Sequence, residues 1–214
     1  MTAEEKQKNK KGAIILSLLC VVIVIGFYNS WKDEISLNSN KKMTIGRVTD
    51  FKYSSRHGYI DFKFYADGKL YDTSDPDDSG WPKYVRNAKA IKYRFYPVEY
   101  EITNPNNSKI LITKNPLEVE HLLKKGIKIQ GEIENIFPIS DSYVDLYIKY
   151  IYLKGSFKFR TRLHKDSLPC GTIDNCRKSK IDLVISKDYP DVNSLYYQSY
   201  DRRAMKKEEE EKRK

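Results

Sequence analysis

Two small groups of side chains in this chain have types and spacing that could do chemistry. Cys170 and Cys176 bracket Gly171-Thr172-Ile173-Asp174-Asn175, a run that can turn back on itself and bring the two thiols together. In an oxidising compartment a disulfide is the expectation. Two free thiols or metal ligation are the alternatives, and only His164 stands near as a further ligand where a structural zinc takes four. The second group is Asp72, Asp75, Asp77 and Asp78 around Pro76. Such carboxylates could hold calcium, but the run lacks the spacing and the bidentate glutamate of a calcium loop. A solvated loop is expected, with no metal. Beside it, Trp81-Pro82-Lys83-Tyr84 offers Trp81 and Tyr84 as an aromatic anchor for a glycan or protein, or as a lid over the end of a barrel. The expected partner surface is a strand edge or the loop from Asp72 to Tyr84, rather than a deep cleft. His57, His121 and His164 are scattered, and no Gly-x-Ser-x-Gly, glycine-rich phosphate cradle or His-Glu-x-x-His occurs. No catalytic residue and no cofactor are expected.

What must position these residues begins with a membrane segment. Residues 13–28 carry no charge, and of them only Ser17, Cys20 and Gly26 are not plainly hydrophobic. A span of 13–31 reaches across a bilayer core of about 30 Å when Phe27, Tyr28 and Trp31 sit at the interface and Lys11 and Lys32 outside it. A secretory signal peptide fits the same pattern. However, Phe27-Tyr28-Asn29-Ser30-Trp31 lacks the small residues a signal peptidase prefers, and the bulky Leu18-Leu19 before Cys20 argue against a lipoprotein. Lys6, Lys8, Lys10 and Lys11 outweigh Glu4 and Glu5 on the first flank, whereas Lys32 is followed at once by Asp33 and Glu34. The positive-inside rule then keeps residues 1–12 as a cytoplasmic tail and puts the body outside the inner membrane.

Beyond the span the chain reads as mainly β: two tandem related small barrel or sandwich modules, 41–113 and 127–197, joined by a short helix within 114–126 and followed by a charged tail, 198–214. The opening Gly46 and Gly131 and the closing Pro105 and Pro190 keep one offset (131 − 46 = 85, 190 − 105 = 85). Between them lie alternating strands, Tyr59-Ile60-Asp61-Phe62-Lys63-Phe64-Tyr65 and Tyr143-Val144-Asp145-Leu146-Tyr147-Ile148-Lys149-Tyr150. Ile60, Phe62 and Phe64 are expected to face inward, and Asp61 and Lys63 to face water. Asn115 as a cap, Pro116 at the first helical position and Gly126 as the stop would frame the joining helix.

Gly68-Lys69-Leu70-Tyr71, then Val98-x-Tyr100 and Asn104-Pro105-x-x-Ser108-x-Ile110, resemble an uncharacterised bacterial family of small membrane-associated β modules closing with a Tyr-x-x-x-Asn-Pro-x-x-Ser signature. The resemblance covers 42–113. The second copy departs from it, with Tyr189-Pro190 for Asn-Pro and Asn193 at the place of Ser108. It implies a membrane setting and a β fold, and no activity.

A formal charge of +10 favours anionic surfaces. No Arg-rich stripe interleaved with aromatics lies in one element, so nucleic acid is not an expected partner. The expected function is binding or scaffolding at the bacterial envelope, not catalysis. The expected partners are the lipid bilayer and an envelope protein or anionic polymer, with the oligomeric state left open. An immunity-type protein that neutralises a toxin, or an envelope enzyme gathering its histidines with carboxylates, are the alternatives.

Overall fold

Period-two alternation builds the body. In β2 (Gly58–Ala66), Ile60, Phe62 and Phe64 fall on one face and are fully buried. In β7 (Tyr143–Tyr152), Val144, Leu146 and Ile148 do the same. One expectation is corrected: Asp61 is not in water but 8% exposed, with its Oδ2 2.7 Å from Lys52 Nζ. A lysine on the adjoining strand supplies the counter-charge that covering a carboxylate requires.

The computed structural model describes residues 3–53, 58–77 and 88–204. It is mainly β, with a long apolar N-terminal helix and two antiparallel sheets. The first sheet holds β1 (Lys41–Tyr53), β2, β3 (Lys69–Pro76), β4 (Phe95–Glu101) and β5 (Ser108–Ile110), in the order β3-β2-β1-β4-β5. The second holds β6 (Ile127–Pro138), β7, β8 (Gly155–His164) and β9 (Lys180–Ile185), in the order β8-β7-β6-β9. Each has its own core, one around Phe62, Phe64, Tyr96 and Val98, the other around Ile133, Leu146, Ile148 and Leu183.

The two sheets are laid out alike. Thr44 pairs with Val98 and Ile129 with Leu183, both 85 positions on (129 − 44 = 85, 183 − 98 = 85). The register of β1 breaks between Val48 and Asp50, and that of β6 between Ile133 and Asn135. A Cβ at Gly46 would meet Val98 Cγ2 at 2.6 Å, and one at Gly131 would meet Leu183 Cδ1 at 2.6 Å. The opening glycines are thus set by the close approach of the fourth strand's side chain. The closing turns match as well: Asn107 N donates to Asn104 O (2.8 Å) and Val192 N to Tyr189 O (2.9 Å), with proline second in each turn. Then the sheets part. Ser108 continues into β5, whereas Asn193 Oδ1 accepts from Tyr196 N (2.8 Å) and caps a helix, α4 (Ser194–Gln198).

Neither pairing order closes on itself among the described residues. In the first sheet the two outer strands are joined by side chains instead: Thr73 Oγ1 and Ser108 Oγ lie 3.1 Å apart, and Asp75 Oδ2 accepts from Ile110 N at 3.1 Å.

The helix between the sheets, α2 (Val119–Lys124), is shorter than expected. Asn115 and Pro116 do not start it, because Leu117 is still extended, donating its N–H to Phe95 O (2.8 Å) at the end of β4. Glu118 is the cap position, without a side-chain cap, and Leu122 is the buried anchor.

The N-terminal helix α1 (Ala3–Ser39) runs well past residue 31. Its stretch Ile14–Ser39 is long and apolar enough to cross a membrane, with 0% of its apolar window buried. Its last turns dock on the first sheet: Leu37 is buried, Ser36 Oγ donates to Glu101 Oε1 (2.8 Å), and Asn107 Nδ2 donates to Asp33 O (2.8 Å). The apolar helix therefore joins the body through a packed, hydrogen-bonded joint rather than a loose linker.

The body also extends past residue 197. Ser199 is buried, its Oγ accepts from Arg162 N (2.8 Å), and residues 200–204 are helical. Together with Arg202 Nη1, which donates to Arg160 O (2.9 Å), this segment caps polar groups along outer strand β8. Asp145 on β7 takes a two-point contact from Arg162, 2.7 Å from Nε and 3.0 Å from Nη2, and a further bond from Arg160, which also pairs with Asp201. Of the expected charged tail, 205–214 lies outside the described residues.

Candidate functional site

The residues picked from sequence fall into three groups. Cys170 and Cys176 are joined in a disulfide that closes the loop ahead of β9 and spans α3 (Ile173–Cys176), with Cys176 fully buried. Asp72 and Asp75 belong to a strand, not a loop. Asp72 lies 3.2 Å from Lys63 Nζ, and Asp75 is buried as the acceptor that ties β5 to β3. Asp77 donates its N–H to Gly58 O (2.8 Å). Asp78, Trp81 and Tyr84 lie outside the described residues. Among the described residues no group of three or more His, Cys, Asp or Glu could hold a metal.

A different place gathers the chemistry. Where the two sheets meet, Tyr189 is 4% exposed and stands edge-on to Tyr65 (centroids 5.3 Å, 89°) and to Phe95 (5.1 Å, 77°). Tyr65 also donates its hydroxyl to Asp191 Oδ2 at 2.7 Å. Tyr189 and Asp191 come from the closing turn of the second sheet, and Tyr65 and Phe95 from β2 and β4. This aromatic plug leaves two adjoining cavities on its flank, of about 230 and 590 Å³, which share Arg47, Phe95, Tyr196 and Tyr197.

Among the described residues the larger cavity is lined by five cations, Arg47, Lys92, Arg94, Arg202 and Arg203, against two carboxylates, Glu118 and Glu120. Lys92 is paired with Asp50 (2.8 Å) and Arg94 with Glu118 (3.4 Å). Among the described residues, Arg47, Arg202 and Arg203 have no carboxylate within salt-bridge distance. Arg47 stacks over Tyr93 (5.3 Å) and Phe95 (5.8 Å) and gives one N–H to Tyr93 O, which leaves most of its five donors uncommitted. Arg202 stacks on Tyr196 at 3.4 Å. Burial pushes the Tyr197 phenol up to about 12 and the Tyr189 and Tyr65 phenols well above the usual range. Tyr197, Tyr189 and Tyr65 are neutral at physiological pH and add no charge to the site.

Tyr93 adds a second signal. Its φ is 65°, in the left-handed region that a bulky side chain rarely adopts. The conformation is held by its N–H to Val48 O (2.9 Å) and by its carbonyl to Arg47 Nε, and its ring is left 57% exposed at the cavity. Backbone of this kind costs about 1–3 kcal/mol and clusters at functional sites.

No protein-family model matches the chain, and no curated protein is similar to it. The reading of the cleft rests on its own geometry.

Sequence reasoning missed this site because four separated stretches build it: Arg47, residues 91–95, residues 117–120, and Tyr196 to Arg203. The one local signal was Lys92-Tyr93-Arg94-Phe95, cations alternating with rings. Among the described residues neither cavity has a histidine in its lining. His164 sits edge-on to Tyr143 and beside Asp166, His121 is exposed on α2, and His57 is outside the described residues.

Proposed function

We propose that this chain is a single-pass membrane protein of the bacterial envelope whose outward body binds a ligand and does not catalyse a reaction. The body is a duplicated β module. The shared strand order, the register breaks and the closing turns at one offset support that reading. The helix α2 is the joint between the copies, and the binding place is the cleft they form together. The observation that carries the reading is the cation excess of that cleft beside exposed and stacked rings. A concave site of a few hundred Å³ with a few placed polar groups is the usual form of a ligand site. The packed joint at Ser36, Leu37 and Glu101 would hold the cleft at a set distance from the bilayer.

The test combines topology with occupancy. In intact cells, a membrane-impermeant thiol reagent should label Cys170 only after reduction, and a photo-crosslinking residue at position 93 should capture a ligand. If the thiols resist labelling after reduction but react once cells are opened, the body faces the cytoplasm and the reading fails.

A further inference from the structure

The lining of the cleft is mixed in a way that selects among anionic ligands. We infer that its ligand is an anionic saccharide chain, one carrying carboxylate or phosphate groups on hydroxylated rings. This inference rests on the cleft being the binding place.

Three features argue for it. First, Arg47, Arg202 and Arg203 are guanidinium groups without carboxylate partners among the described residues, and the planar fork of arginine matches carboxylate and phosphate oxygens better than lysine does. Second, the same lining carries Glu118 and Glu120, and the adjoining cavity carries Asp191. An acidic peptide sets its own carboxylates against these. A hydroxylated ring suits both sets, its anion accepting from arginine and its hydroxyls donating to these exposed carboxylates alongside the partners they already have, Arg94 at Glu118 and Tyr65 at Asp191. Third, Tyr93 lies exposed in its strained backbone, and Tyr196 and Tyr197 line both cavities. The C–H face of a sugar ring packs on such rings through dispersion and the ring's negative face.

The shape adds that the ligand is extended. The larger space, about 590 Å³, is within the range of roughly 300–1,000 Å³ that holds drug-sized ligands, and a second of about 230 Å³ lies beside it, sharing Arg47, Phe95, Tyr196 and Tyr197 in its lining. A chain of more than one unit can occupy both, with a ring against Tyr93 in the larger space and a neighbouring unit near Lys158 and Asp191 in the smaller.

The experiment uses the full chain in nanodiscs of uncharged phosphatidylcholine, so that anionic lipid does not compete. Binding is measured to four probes of matched length: oligogalacturonate, phosphorylated dextran oligomers, neutral dextran oligomers and oligoglutamate. The expected result is binding of oligogalacturonate, of phosphorylated dextran or of both, which separates the carboxylated from the phosphorylated source. Neutral dextran and oligoglutamate should each bind at least about tenfold more weakly. Arg203→Gln, at an exposed side chain whose loss does not threaten folding, should weaken binding roughly two- to fivefold. Arg47→Gln should weaken it more, and Arg47→Lys should restore part. Lys180→Gln removes the same charge from β9, outside the cleft, and should change nothing. Oligoglutamate binding as tightly as the saccharides, and weakening with Arg203→Gln, overturns the saccharide assignment while keeping the cleft as the binding place. If no probe responds to Arg47→Gln or Arg203→Gln and position 93 captures nothing in cells, both the saccharide and the cleft reading fall.

Discussion

Replacing Tyr189 with alanine tests whether the two sheets fold as one unit. Tyr189 belongs to the closing turn of the second sheet, yet its ring is buried against Tyr65 and Phe95 of the first. Truncating a buried aromatic to alanine costs about 3–5 kcal/mol. Two edge-on aromatic contacts account for roughly 1–3 kcal/mol of that, at about 0.5–1.5 each. Against a total stability of about 5–15 kcal/mol this is a large share, and at a chain of this size it lowers Tm by roughly 6–20 °C. Tyr189→Phe keeps the ring and should cost under about 1 kcal/mol. The assay is urea unfolding of the full chain in nanodiscs, followed by near-UV circular dichroism, which reports ring packing. One transition should be seen in the parent and an earlier one in Tyr189→Ala. A loss below about 1 kcal/mol, or a parent that unfolds in two separated steps, would refute the idea that the interface couples the sheets.

Three further outcomes follow from the same geometry. Reducing Cys170–Cys176, or replacing both by serine, opens a loop of sequence separation 6 and should cost roughly 2 kcal/mol of stability; midpoints that coincide with and without reductant would contradict this. Acid should destabilise the C-terminal packing. The hydrogen bond from Arg162 holds Asp145 below the usual carboxylate range. At Asp201, burial pushes upward, but hydrogen bonds from Ser199 and Arg160 outweigh it and hold the group at about 2. Groups depressed on folding stabilise fully above their unfolded value of 3.8, and the contribution is lost as pH falls towards about 2. Asp145→Asn should flatten that pH dependence in an acid titration read by circular dichroism. Glu101 is likewise held low, by hydrogen bonds from Thr103, Asn107 and Ser36. Glu101→Gln should therefore raise amide hydrogen exchange at residues 36–40 and 101–107 without unfolding the second sheet, and unchanged exchange there would count against the packed joint.

What could be read from the sequence, and what could not, divides along a physical line. The long apolar helix, the strand alternation, the shared offset and the disulfide are local or repeated signals. A run of apolar residues, a period of two, a glycine pressed by the fourth strand or two cysteines around a turn each announce themselves within a few positions. The misreadings are places where a partner distant in sequence decides the outcome. Asp75 looks like part of a solvated acidic loop until Ile110, on an outer strand, is seen to take its carboxylate. Asn115 and Pro116 look like a helix start until Leu117 is claimed by Phe95. Asp61 looks solvent-facing until Lys52 lies against it.

The cleft is the extreme case, because a site built between two similar units has no sequence of its own. The like layout of the two sheets makes each legible by comparison with the other, and it hides whatever depends on their differences. Asn104-Pro105 of the first closing turn becomes Tyr189-Pro190 in the second, and the exchange puts a buried ring where the first copy has an exposed amide. Ser108 becomes Asn193, and the strand that would follow becomes a capped helix carrying Tyr196 and Tyr197 into both cavities. The departures from the repeat are thus the residues that build the interface and the cleft. A second module that kept Asn-Pro and Ser at these positions would lack the Tyr189 ring that docks it on the first and the helix cap that sets Tyr196 and Tyr197 in the cleft. The positions where the two sheets disagree are therefore the first to change in a test of the proposed cleft.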